Sequence, residues 1–166
     1  FAAVDCIAAS EGLGEMLSTS FGIENAKAIL DFAEYTILFR NDSPKDYEQR
    51  MVDEIVSMGR IYSDTWYSKL FNEGIDISKI SLFKGKWIDF CKKDGIQSVF
   101  LCIDGSNLDY VSKNSELAEE GASKSGKNNP IVGFTYVVAA GSAKPVTWSV
   151  YPGSKVDSQS VKTRTK

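Results

Sequence analysis

The hydrophobic pattern changes period once along this chain, at Asp94-Gly95, and that change limits the fold more than any other feature. Before it, apolar residues recur every three to four positions, as on helices. After it, they run continuously or alternate, as on strands. Helices and strands that follow one another in separate blocks define an α+β protein, not the alternating α/β class. The 166 residues, 43% of them hydrophobic, suffice for one good core or two small ones. We therefore expect a helical region over residues 1–95 and a strand-containing region over 96–166.

In the first region, Val4, Ile7, Ala8, Leu13, Met16 and Leu17 space out a helix from Val4 to Ser18, weakened by Gly12 and Gly14. Glu24 to Phe39 predicts a second helix with Ala26, Ile29, Leu30, Ala33, Ile37 and Leu38 in one stripe. Ser43-Pro44 has the pattern of an N-cap followed by proline at the first helical position, opening a helix from Lys45 to Met58. Ser63 or Asp64 caps a short helix to Asn72, with Trp66, Leu70 and Phe71 inward. A last helix, Ser78 to Lys93, sets Ile80, Phe83, Trp87, Phe90 and Cys91 along one face. These two helices also fit a helix–turn–helix, although such stripes are ordinarily core.

In the second region, Gln97 to Ile103 reads as a strand buried on both faces. Ile131 to Ala139 and Val146 to Tyr151 alternate like two half-buried antiparallel strands joined by a hairpin. Here Phe134, Tyr136 and Val138, and likewise Val146, Trp148 and Val150, make the apolar set, with Trp148 and Tyr151 as hairpin core. We expect the three strands side by side with the first in the middle. Three strands alone make a thin sheet with open edges, so further sequence is expected after Lys166. The Phe1 start, without Met, points to a piece of a longer protein.

Several chemistries are excluded. Histidine is absent, which removes Ser-His-Asp and Cys-His catalysis and His-ligated zinc unless another segment supplies the histidine. Cys6, Cys91 and Cys102 lie far apart with no CxxC pair, as in a reducing, cytoplasmic setting. No apolar run reaches the ~20 residues of a membrane helix, and the start has no basic leader. Charge is uneven: residues 1–76 hold fourteen acids against six bases, and residues 77–166 eight against thirteen. The basic half suits a polyanion or a merely solvated, lysine-rich surface.

The apolar run Val99-Phe-Leu-Cys-Ile103 passes directly into Asp104-Gly-Ser-Asn107. Asp104 either starts a turn through its own backbone hydrogen bonds or is held at a strand end to bind a hard divalent cation, Mg²⁺ or Mn²⁺. Two such ions activate a water and stabilise a leaving oxygen in phosphodiester cleavage.

Four segments in order then resemble the DDE transposases of bacterial insertion sequences. They are Ile103-Asp-Gly-Ser106, Ser115-Glu-Leu-Ala-Glu-Glu-Gly121, Pro130-Ile-Val-Gly-Phe-Thr-Tyr-Val-Val138 and Val150-Tyr-Pro-Gly-Ser-Lys-Val-Asp157. The resemblance covers about residues 97–161. It departs from the family at Ser106, where Thr is usual, and at Asn128-Asn129, where Arg and Asp precede the proline. It implies the first three antiparallel strands of a ribonuclease-H-like sheet, an incomplete core with a helical N-terminal region ahead of it. It further implies Asp104 as catalytic metal ligand, Mg²⁺ or Mn²⁺ as cofactor, and double-stranded DNA, both transposon ends and target, as partner. Lys113, Lys124 and Lys127 would contact phosphates. The second Asp and the Glu of the triad would follow Lys166, Asp157 would be structural, and the parent would pair as a homodimer in the cytoplasm without a membrane. The fragment alone would be inactive. Two rivals stay open: an inactive transposase-derived remnant that binds DNA or protein, and an actin-like ATPase phosphate site, whose Asp-x-Gly-Thr spacing is one residue longer than Asp104-Gly-Ser-Asn107.

Overall fold

The computed structural model describes residues 2–40, 43–52, 59–95, 101–110, 115–121, 123, 126, 129–142 and 144–154. The protein is α+β and divides into two compact units, Phe1–Trp87 and Ile88–Lys166.

Unit 1 is helical. The expected first helix is two: α1 (Ala2–Ser10) and α2 (Leu13–Phe21), separated where Gly12 takes a left-handed φ of 64°. Gly14 stays inside α2. Next, α3 (Ile23–Phe39) matches the expected span and the first half of the expected stripe, since Ala26 is buried with Leu17 and Phe21, and Ile29 and Leu30 pack against them, but not its second half. Its buried residues are Ala26, Ala28, Asp31, Glu34 and Tyr35, while Ala33, Ile37 and Leu38 are exposed. The aromatic residues explain the rotation. Phe32 sits 5.1 Å from the Tyr67 ring, 5.6 Å from Tyr35 and 5.9 Å from Tyr47. Rings at these separations bury more area than the aliphatic stripe offers and add ring–ring attraction. The helix turns its aromatic side inward and takes Asp31 and Glu34 with it.

Ser43 caps a 3₁₀ turn (Pro44–Asp46) that leads into α4 (Tyr47–Arg50), with proline at the expected first position. Residues 53–58 of the expected longer helix lie outside the described residues. α5 (Asp64–Lys69) opens as expected at Ser63, whose Oγ accepts from the Trp66 N–H at 3.3 Å. It relaxes into a π turn (Leu70–Gly74) before α6 (Ile77–Lys93). Leu70 is buried as expected, whereas Phe71 is exposed. The core of this unit is Tyr35, Tyr47, Met51, Tyr62, Tyr67 and Leu70 around Ala28. The Tyr35 and Tyr67 hydroxyls donate to the carbonyls of Ser43 and Ala28, which makes their burial affordable. Burial raises both the Tyr47 and Tyr67 hydroxyls above the usual tyrosine range. Ser63→Ala removes one cap and is expected to cost about 1 kcal/mol, measured as a lower unfolding midpoint in urea at unchanged slope.

Unit 2 contains the three strands: β1 (Leu101–Asp109), β2 (Ile131–Ala139) and β3 (Pro145–Pro152), all antiparallel in the order β1-β2-β3. The expected middle position of the first strand is wrong: β2 occupies it. β1 is also not buried on both faces, since Leu101 and Ile103 are 51% and 49% exposed. Among the described residues it is paired on one side only, so its apolar run lacks the second neighbour that would enclose it.

Register assigns the faces. Ile131, Gly133, Thr135, Ala139 and Tyr151 lie on the covered face and are buried. The alternating set Phe134, Tyr136, Val138, Trp148 and Val150 lies on the opposite, more open face, which corrects the expected inside and outside. Gly133 accounts for much of this. It stands directly across from Tyr151, whose ring lies over it so closely that a Cβ would sit 2.2 Å from the ring edge. An aromatic laid over a cross-strand glycine restores packing that glycine lacks. The end of α6 belongs to this unit: the Cys91 thiol donates to the Pro145 carbonyl, and Lys144 Nζ meets Asp94 at 2.8 Å above the Phe90 ring.

Candidate functional site

Asp104 lies inside β1, not at its end. Its Cα partner is Tyr136, and Gly105, Ser106 and Asn107 continue the ladder opposite Thr135, Phe134 and Gly133. The backbone placement in both sequence-based readings is thereby corrected, since neither a turn nor the strand's end falls there; the carboxylate is exposed to solvent. The apolar run before it suggested burial because the sequence does not say that β1, among the described residues, is paired on one side only.

Alternation places Cys102, Asp104, Ser106 and Leu108 on the open face of the sheet, beside Phe134, Tyr136 and Trp148. Tyr136 stands across from Asp104, and Trp148 across from Tyr136. The Phe134 and Tyr136 rings meet edge to face at 5.4 Å. Asp104 thus projects from a rigid ladder at the rim of an aromatic row. Trp148 belongs to that row, whereas Tyr151 is core on the other face. Sequence reasoning missed Tyr136 as the neighbour of Asp104, because strand parity becomes informative only once register is known.

The other carboxylates of the sheet region are placed differently. Asp109 points to the opposite face and accepts the Ser123 hydroxyl at 2.6 Å. Glu119 accepts from both the N–H and the hydroxyl of Ser154. The Gly153 N–H donates to the Leu117 carbonyl at 3.1 Å, and Glu119 bridges Ile131. Three of the four quoted segments therefore meet at the start of β2: Ser115–Gly121, the opening of Pro130–Val138, and the Pro152-Gly153-Ser154 turn. This junction holds the polar excursion against the sheet and ties up Glu119.

Asp104 has no ion pair or hydrogen bond among the described residues, and no group of three acidic or cysteine side chains among them is placed to hold a metal ion. As a lone exposed carboxylate it fits one oxygen position around a hard cation and no more. Lys113, Lys124, Lys127 and Asp157 lie outside the described residues. The three cysteines are free, with Cys91 buried and Cys6 and Cys102 exposed. No described helix is long and apolar enough to cross a membrane.

Unit 1 carries a groove of about 390 Å³ lined by Glu24, Trp66, Lys69, Leu70, Glu73 and Gly74. Glu24 is engaged there by Arg60 at 3.7 Å and by the Tyr62 hydroxyl at 3.0 Å. No protein-family model matches the chain, and no curated protein or solved structure matches it either.

Proposed function

We propose that residues 96–166 are the opening part of a ribonuclease-H-like DDE transposase core, with Asp104 as its first metal-binding carboxylate. One observation supports this most. Asp104 stands in mid-strand, exposed on the open face of an antiparallel β1-β2-β3 sheet, and its side chain makes no structural contact among the described residues. An exposed carboxylate with no described partner is open to a ligand. The order of the four sequence segments directs that use toward DNA strand cleavage and joining.

In this reading Asp104 supplies one hard oxygen ligand to Mg²⁺ or Mn²⁺. Two such ions, with Asp104 as one ligand and further carboxylates completing the site, would supply activation of the attacking oxygen and stabilisation of the departing one. The β1 ladder fixes the backbone from which the carboxylate projects, and the side chain, without described contacts, is free to turn toward an ion. One carboxylate cannot hold two ions, and the second Asp and the Glu of the triad would come from sequence following residue 166. Transposon-end and target DNA would be the partners, and the cytoplasm the compartment.

The test is strand cleavage by the whole protein on DNA carrying the element's ends, in Mg²⁺, with Asp104 intact and replaced. End binding without cleavage by the unaltered protein would instead identify a binding remnant. ATP binding that Asp104→Asn abolishes would favour the actin-like alternative.

Lys124 and Lys127 are proposed to meet phosphates in the same reading. Replacing both with Ala should lower the slope of log affinity against log salt by about 2, since each phosphate contact releases roughly one counterion. An unchanged slope in a filter-binding titration removes them from the interface.

A further inference from the structure

We propose that the groove between the first turn of α3 and the π turn after α5 binds arginine, free or as the last residue of a peptide, through its guanidinium and its carboxylate. The site lies within unit 1 and is independent of the reading of Asp104.

The π turn shapes the groove. Lys69 and Glu73 are four residues apart, a spacing that brings opposite charges together on a regular α-helix. Here the turn Leu70–Gly74 intervenes, and the two exposed heads form no ion pair or hydrogen bond among the described residues. Such π turns recur at functional sites. The far end is fixed: Lys79 Nζ donates to the Gly74 carbonyl at 2.8 Å, and a Cβ on Gly74 would meet Leu70 at 3.0 Å. The resulting space, about 390 Å³ with buried Leu70 in its lining, is the size of a small-molecule site.

The walls suit a guanidinium, a flat cation with five N–H donors that also stacks on aromatic rings. Glu24 Oε1 accepts from the Tyr62 hydroxyl at 3.0 Å and faces Arg60 at 3.7 Å, while its Oε2 has no partner among the described residues. Asn25 Nδ2 donates to the Phe21 carbonyl at 3.0 Å, which leaves the amide oxygen as an acceptor. With Glu73, these acceptors line the same groove as the half-buried Trp66 ring. The chain displays the same recognition next door. The Arg60 guanidinium lies 4.3 Å over the Tyr62 ring while it approaches Glu24, and Tyr62 lies 3.9 Å from Trp66.

Charge points the same way. Residues 1–76 hold fourteen acids against six bases, so a cation is drawn to this unit. Lys69 is the group a simple cation site would not include. Its unpaired ammonium on the groove wall calls for a negative group on the same ligand, and a carboxylate supplies it.

The test is a titration of the isotope-labelled whole protein with L-arginine, followed at the backbone amides of residues 69–74 and at the Trp66 indole N–H. Saturable shifts are expected there, with L-citrulline, uncharged at the same end, binding at least about tenfold more weakly. Agmatine, which lacks the carboxylate, should bind about threefold more weakly than L-arginine, and Lys69→Met should erase that difference. Glu73→Gln should weaken both ligands alike, by about tenfold. Both positions are exposed, so the fold is kept. Tighter binding of glycyl-L-arginine than of L-arginine assigns the site to a peptide end, and the reverse assigns it to the free amino acid. No saturable shift at residues 69–74, an equal response to L-citrulline, or an arginine–agmatine difference that survives Lys69→Met would overturn the proposal.

Discussion

Asparagine at position 104 is expected to cut strand cleavage by the whole protein more than about 100-fold while leaving its affinity for element ends within about threefold. Even partners that only orient metal ligands typically cost 10–100-fold when removed, so loss of a ligand itself should exceed that. The substitution is nearly isosteric, and Asp104 is exposed with no described contact to break, so the fold should not change. DNA affinity comes mainly from lysines and arginines on phosphates, and removing one negative charge does not weaken it. Cleavage and end binding measured on the same preparation separate these effects. Equal loss of both would mean that position 104 acts through structure or DNA contact, not through metal.

Alanine at Gly133 is expected to destabilise the protein by about 2–3 kcal/mol, although it adds a single methyl group. That methyl would stand 2.2 Å from Tyr151 Cε2 and 2.7 Å from Cζ. The Tyr151 ring is itself buried, and its hydroxyl reaches the Phe134 carbonyl at 3.5 Å. Ring and strand must move apart, which is the ordinary cost of overpacking a core. Tyr151→Ala removes the obstacle, so Gly133→Ala made in that background should cost much less. Urea unfolding of the four proteins gives the coupling directly. Additive losses would show that the ring does not lie over the glycine.

Legibility in the sequence depended on whether a local signal was sufficient. Ile131–Ala139 was readable to the residue, because Pro130 and Ala140-Gly141 bracket a run of β-branched and aromatic side chains. The cap of α5 was narrowed to Ser63 or Asp64, and Ser63 takes it. The covered face of the sheet was not readable. Thr135 and Gly133 look suited to solvent and Tyr136 and Trp148 to a core, yet the Tyr151 ring and the cross-strand register reverse them. The second half of the α3 stripe failed similarly: Ile37 and Leu38 count as apolar by periodicity, but Phe32 and Tyr35 find rings from distant segments. Asp31 and Glu34 did carry a signal, two acids at i and i+3 interleaved with those aromatics. For the candidate site, Asp104 was visible from its run and its four-residue motif. Its mid-strand position and its Tyr136 neighbour required register.

The most direct measurement of the central claim is a Mn²⁺ titration of the isotope-labelled whole protein, in which further carboxylates can complete the site, followed by paramagnetic broadening of backbone amides. Asp104 as a cation ligand predicts that amides 102–106 and 135–137 broaden first, and that Asp104→Asn abolishes this. Broadening led by other exposed carboxylates, with residues 102–106 behaving alike in both proteins, would contradict it.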